Sequence, residues 1–173
     1  KVREAIQLSL WPDRPYLSVA LLSAFLVPIV YGVELVMLAI SLNLPLQQAV
    51  GALLIAAILV EEIAKSIGIV VLLDSEVVKG WAPTVGLSSV SAAGFLAAEK
   101  LLLLLSLRVV SESALSVVLF DSGMLLIPLA AHTLFTAVTC LLKERTEIRY
   151  RYALLAGSVL HLVYNAVILR GIL

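Results

Sequence analysis

The chain has 173 residues, of which 62% are hydrophobic and 14% charged, with a mean hydropathy of +1.11 and a formal net charge of zero at pH 7. A water-soluble domain of this size cannot hide so much apolar side chain, so the composition excludes a soluble enzyme and points to an integral membrane protein. The lack of any basic block with interleaved aromatics argues against nucleic acid as a partner, and the single cysteine, Cys140, excludes an internal disulfide and a cysteine-based zinc site.

Residues 1–15 are polar and broken by Pro12 and Pro15, with Trp11 and Tyr16 beside them, and read as a juxtamembrane segment whose aromatics lie at the interface. The chain opens on Lys1 without a methionine, as an internal piece of a longer protein does. The apolar runs that follow are too long and too many for a signal peptide. A first span is expected over 16–42, kinked at Pro28 because proline removes a backbone donor. A second span covers 46–73 and a third 81–107, with Pro83 tolerated in its first turn. Within 108–122, the apolar run 114–120 is far short of the ~20 residues a crossing helix needs and reads as an interfacial or re-entrant piece. The fourth and fifth spans are expected over 123–142 and 152–170, separated by a basic loop. The fold class is thus all-α, a single membrane domain over 1–173 with about five transmembrane helices.

Lysines and arginines fix an orientation. With the amino terminus in the cytoplasm, that side collects Lys1, Arg3, Arg14, Lys79, Lys143, Arg145, Arg149 and Arg151, against Arg108 and Arg170 opposite. The bias predicts a multi-pass cell-membrane protein with its amino terminus inside.

Charges within the spans carry the functional signal. Val60-Glu61-Glu62-Ile63-Ala64-Lys65 sets two carboxylates and an ammonium in the second span, where each ionised side chain costs roughly 2.5 to 3.5 kcal/mol at the bilayer centre. Such groups must face protein, water or one another. At 1.5 Å per residue Glu61 lies roughly 18 Å from the cytoplasmic end of its span, and His132 and His161 each roughly 15 Å from theirs. Glu99 reaches the same depth only if the third span enters the membrane nearer Leu87. Glu61 and Lys65, Phe95 and Glu99, and His161 and Asn165 are each four apart and share a helix face.

Carboxylates, imidazoles and an amide at one depth permit water activation: a poorly solvated carboxylate takes a proton from water, and histidine and asparagine donate to the developing oxyanion. The same residues also make a plausible zinc set, and spacing excludes neither chemistry. Competing structural readings are an ion pair between Glu61 and Lys65, a core histidine at His132, and interhelical hydrogen bonding by His161 and Asn165. Glu34 and Lys100, at similar depth nearer the outer face, read as a structural ion pair, and Cys140 as a small packing residue. A proton- or cation-coupled transporter and a catalytically silent scaffold for transmembrane partners are the rival functions, although no internal repeat supports a transporter.

Four blocks, in order, resemble the PrsW-type intramembrane proteases, within the clan of CAAX-processing and bacteriocin-processing membrane proteases. Glu61-Glu62-Ile63-Ala64-Lys65 is similar to the family's EExxK, Phe95 to Glu99 to its FxxxE, His132 through Cys140 to a histidine followed eight positions later by glycine, and His161 to Asn165 to its HxxWN. Cys140 and Tyr164 depart from the glycine and tryptophan that are usual there. The resemblance covers 46–170 and implies a catalytic core there. It also implies an endopeptidase acting on a membrane-bound or membrane-proximal substrate in the bilayer, with self-association left open. By position it makes Glu61 the general base, Glu62 a supporting carboxylate, Glu99 and His132 groups that position water or a metal, and His161 with Asn165 the oxyanion site. The preferred expectation is glutamate chemistry with histidine support and no obligatory metal. If zinc or another divalent ion is present, Glu61, Glu99, His132 and His161 are its candidate ligands.

Overall fold

A computed structural model describes residues 14–42, 45–107, 123–146 and 148–172. Five helices account for nearly all of them: α1 (Pro15–Ser41), α2 (Leu46–Asp74), α3 (Trp81–Leu107), α4 (Gly123–Arg145) and α5 (Tyr150–Ile172). They follow the expected spans closely. α4 runs three residues further than expected, into the basic loop, where Lys143 and Arg145 in its last turn favour the negative end of the helix. α1 opens on Pro15 and continues through Pro28, and Pro83 sits in the first turn of α3. The expected juxtamembrane residues 1–13 and the segment 108–122 lie outside the described residues.

Segments within four helices are long and apolar enough to cross a bilayer: Pro15–Ser41, Trp81–Leu105, Leu125–Arg145 and Tyr150–Ile168. α2 has 29 residues, and so reaches about 43 Å, but carries the charged stretch. Its position resolves that conflict. Among the described residues α2 touches each of the other four helices, which follow one another around it in the order α1, α3, α4, α5, while α1 and α5 do not touch. The helix with the most charge takes the place with the most protein around it.

Helix ends show the up-and-down order. Tyr16 at the start of α1 lies against Gly86 near the start of α3. Lys143 near the end of α4 pairs with Asp74 at the end of α2 at 2.8 Å, and Glu144 accepts from the Gly80 amide and, at 3.0 Å, from the Thr84 hydroxyl at the start of α3. A carboxylate over the amide end of a helix is favoured by the helix dipole. α3 and α4 are therefore antiparallel neighbours, as the charge count assumed.

Two apolar clusters are stacked inside. Val19, Ile69, Leu72, Leu87 and Cys140 belong to the one toward this end, and Val27, Val30, Ala64 and Phe95 to the other.

α2 closes with a left-handed residue. The Val77 amide donates to the Leu72 carbonyl at 3.1 Å and the Glu76 amide to the Leu73 carbonyl at 3.0 Å, with Glu76 at φ 60°. This Schellman closure normally takes glycine at that position, because a Cβ there is strained. Glu76→Gly should therefore raise stability by about 1 kcal/mol; a lower unfolding midpoint in mixed micelles would count against it.

Candidate active site

The helical repeat puts Glu62 and Lys65 three apart on one face of α2, and packing on all sides removes both from solvent. Each is 0% exposed. Lys65 Nζ donates to Glu62 Oε1 at 2.5 Å and stands 3.8 Å from Glu61 Oε2. The tight ion pair is thus with Glu62, rather than with Glu61, the partner the four-residue spacing suggested. Buried charges persist only when paired and hydrogen-bonded, and this pair recruits two further helices to achieve it.

His132 of α4 and His161 of α5 complete the cluster. Lys65 Nζ lies 2.7 Å from His132 Nδ1, and His161 Nδ1 lies 2.9 Å from Glu62 Oε1. An ammonium only donates and a carboxylate only accepts, so the bonds assign the ring protons. His132 accepts at Nδ1 and carries its proton on Nε2. His161 donates from Nδ1, leaving the Nε2 lone pair 4.0 Å from Glu61 Oε2. Glu61 is the most open member, with its side chain 22% exposed.

Aromatic rings hold the imidazoles. The two histidines meet edge-on with centroids 5.1 Å apart, Phe135 stacks on His161 at 5.0 Å, and Tyr164 packs against Phe135 at 5.7 Å. Phe95 lies 6.3 Å from His132, with the Lys65 ammonium 5.4 Å from its ring centre. Hydroxyls fix the backbone beneath. Ser91 of α3 donates to the Lys65 carbonyl at 2.6 Å and so receives the Ser23 hydroxyl of α1 at 2.7 Å. Ser66 donates to the Glu62 carbonyl and receives the hydroxyl of Tyr150 at 2.7 Å.

Of the candidate residues, Glu61, Glu62, His132 and His161 come together. Glu99 is half-buried and interacts electrostatically with Glu61 and Glu34, but among the described residues it makes no hydrogen bond to the cluster. Asn165, also half-buried, makes none either. The expected ion pair between Glu34 and Lys100 does not form among the described residues; Glu34 lies within electrostatic reach of Glu99 and Glu61, and Lys100 of His132.

Ser91 and Phe135 join the site without having been singled out for it, and Lys65, flagged with the two carboxylates but given no catalytic role, joins it as well. Lys65 had a signal in its burial cost, whereas the serine and phenylalanine had none above ordinary packing. Although Cys140 stands where glycine is usual, α4 and α5 do approach closely at a glycine: a Cβ on Gly157 of α5 would strike Thr139 Oγ1 and stand 2.8 Å from the Phe135 carbonyl of α4. Cys140 itself is fully buried in the apolar core.

Glu61, His132 and His161 place ligand atoms within 4.8 Å of one another. Two imidazoles and a carboxylate are donor types that zinc takes, with one position left for water, and a carboxylate behind a ligating imidazole, as Glu62 stands behind His161, is the usual support. The donor set fits a divalent ion. His132 can join it only by giving up Lys65 at Nδ1 or its proton at Nε2.

No curated protein and no solved structure matches the chain. A family model does, described as PrsW family intramembrane metalloprotease, and it matches residues 12–173. With nearly the whole sequence aligned and a buried carboxylate–histidine cluster at its centre, the chain belongs to the PrsW family of intramembrane proteases.

Proposed function

We propose that the protein hydrolyses a peptide bond within or next to the membrane-spanning part of a protein substrate, at the cluster formed by Glu61, Glu62, Lys65, His132 and His161. The observation that carries this reading is their convergence from three helices onto one buried point. Glu61 takes the proton of the attacking water, because it is the carboxylate left partly open while Glu62 is enclosed and paired, and returns it to the leaving amine. Glu62 does not exchange protons with substrate. It holds the His161 ring with Nε2 toward Glu61, where that lone pair accepts from the water. His132, with its proton on Nε2, donates to the carbonyl oxygen as charge develops there. Asn165 adds a donor only if substrate binding brings it within reach.

Glu61, His132 and His161 would hold a divalent ion such as zinc. When bound, the ion polarises the scissile carbonyl and makes water a better nucleophile at neutral pH. The positive residues Arg14, Lys79, Lys143, Arg145, Arg149 and Arg151 gather at the end where α1, α3 and α5 begin, and we place that end in the cytoplasm.

The test compares wild type with Glu61→Gln in membranes containing a pool of tagged single-span proteins. Shortened products should form with wild type and fall by about 10²–10⁴-fold in the variant. Equal products from both, at equal expression, would overturn the assignment. Incubation of wild type with a zinc chelator, followed by zinc readdition, separates the two chemistries: loss and recovery of cleavage assigns it to the ion, and unchanged cleavage assigns it to glutamate alone.

A further inference from the structure

The ring of helices around α2 is open where α1 and α5 fail to meet. Ile55, Leu59 and Ile63 follow one another at four-residue steps along that side, and Ile55 is 52% and Ile63 40% exposed. Between α2 and α5 lies a cavity of about 150 Å³, lined by Ile55, Ile58 and Leu59 of α2 and by Leu155, Ser158 and Val159 of α5. Its lining is apolar except for Ser158. That residue is only 7% exposed, and its hydroxyl has no hydrogen-bond partner among the described residues. A buried hydroxyl left unpaired is costly, and no bulk water reaches the middle of a membrane to relieve it. Glu62 stands one turn beyond Ile58 and His161 three residues beyond Ser158, and the 2.9 Å bond between them marks where the cavity adjoins the site.

We propose, resting on the protease reading, that one unwound turn of the substrate's transmembrane segment docks in this groove. A large apolar side chain fills the cavity, and a freed backbone carbonyl accepts the Ser158 hydroxyl. A peptide bond inside an intact helix is shielded, because its carbonyl is already bonded four residues on. Unwinding exposes it but leaves backbone groups that hydrocarbon cannot satisfy, so the protein must supply partners. Ser158 is a donor with no other engagement among the described residues, within a turn of His161. A cavity of this size suits a group about as large as benzene, which selects Leu, Ile or Phe over Ala. A lipid chain could fill the apolar part but offers no acceptor at that depth.

The test places a photo-reactive amino acid at Val159, on the exposed rim, in the Glu61→Gln protein. It is reconstituted in phosphatidylcholine vesicles with two tagged single-span helices, one a continuous leucine-rich span and one broken at its middle by Asn-Pro-Gly. The broken span should form the adduct preferentially. Ser158→Ala should weaken that adduct about fivefold, as loss of one hydrogen bond does, with no loss of thermal stability. Leu155→Trp should abolish it, while Ile29→Trp on the exposed face of α1 should leave it unchanged. Equal adducts with both spans, or with lipid alone, would overturn the proposal. Wild-type protein cleaving the broken span without a preferred adduct sinks the groove alone; a preferred adduct without wild-type cleavage sinks the protease reading and leaves the groove standing.

Discussion

Lys65→Met should destabilise the folded protein by about 3–5 kcal/mol, the cost of leaving a buried carboxylate without its counter-charge. Lys65 is fully buried, and its ammonium lies on Glu62 and His132. Adding Glu62→Gln should recover most of the loss, because the orphaned charge is then gone, although His161 keeps an acceptor in the amide. Unfolding in mixed micelles of the two single variants and the double gives the coupling directly. Additive losses would mean that Lys65 acts by packing its stem, and that the ion pair contributes nothing of its own.

Gly94→Ala should cost about 1–3 kcal/mol and reduce cleavage as well. A Cβ there would collide with the Ala20 carbonyl oxygen and stand 2.9 and 3.0 Å from Ala20 C and Cα, all backbone atoms that cannot turn aside. α1 and α3 must then separate. Close approach at a small residue is the common way helices bind in lipid, where apolar surface alone gives little attraction. Here it also sets the chemistry, because Ser23 and Ser91, each three residues from the contact, form the hydroxyl chain that ends on the Lys65 carbonyl. Gly32→Ala is the control, since a Cβ there meets nothing within 4 Å. Equal effects from the two variants would refute the steric argument.

The helices were legible in the sequence because length and apolar content are properties of each segment alone. Depth along each axis was legible too, which is why Glu61, His132 and His161 were placed at one level and do meet. Rotation about each axis was not. Depth matched Glu34 to Lys100, but the packed helices form no such pair among the described residues, and Glu34 feels the like charge of Glu99 instead. The same gap hid the division of labour on α2. The four-residue rule favours Glu61 with Lys65, yet the packed side chains bring Glu62 to 2.5 Å and leave Glu61 nearer solvent. Opposite proton placements on the two histidines are beyond any reading of residue types, since each follows from which neighbour touches Nδ1. Gly157 was missed for a related reason: a glycine's value in a helix depends on what lies opposite, here Phe135 and Thr139.

The central place of α2 has a consequence for how the chain is made. α2, which leaves the ribosome before α4 and α5, is the helix a lipid bilayer accepts least readily, with Glu61, Glu62 and Lys65 lacking their partners on those helices at that moment. His132 follows Lys65 by 67 residues and His161 follows Glu62 by 99, so these partners arrive only with α4 and α5. Until then α2 needs a polar shelter in the insertion machinery or a position at the membrane surface. Biogenesis should therefore be late and concerted: chains truncated before α4 are expected to leave α2 accessible to water-soluble labels, and synthesis of α5 is the step that seats it.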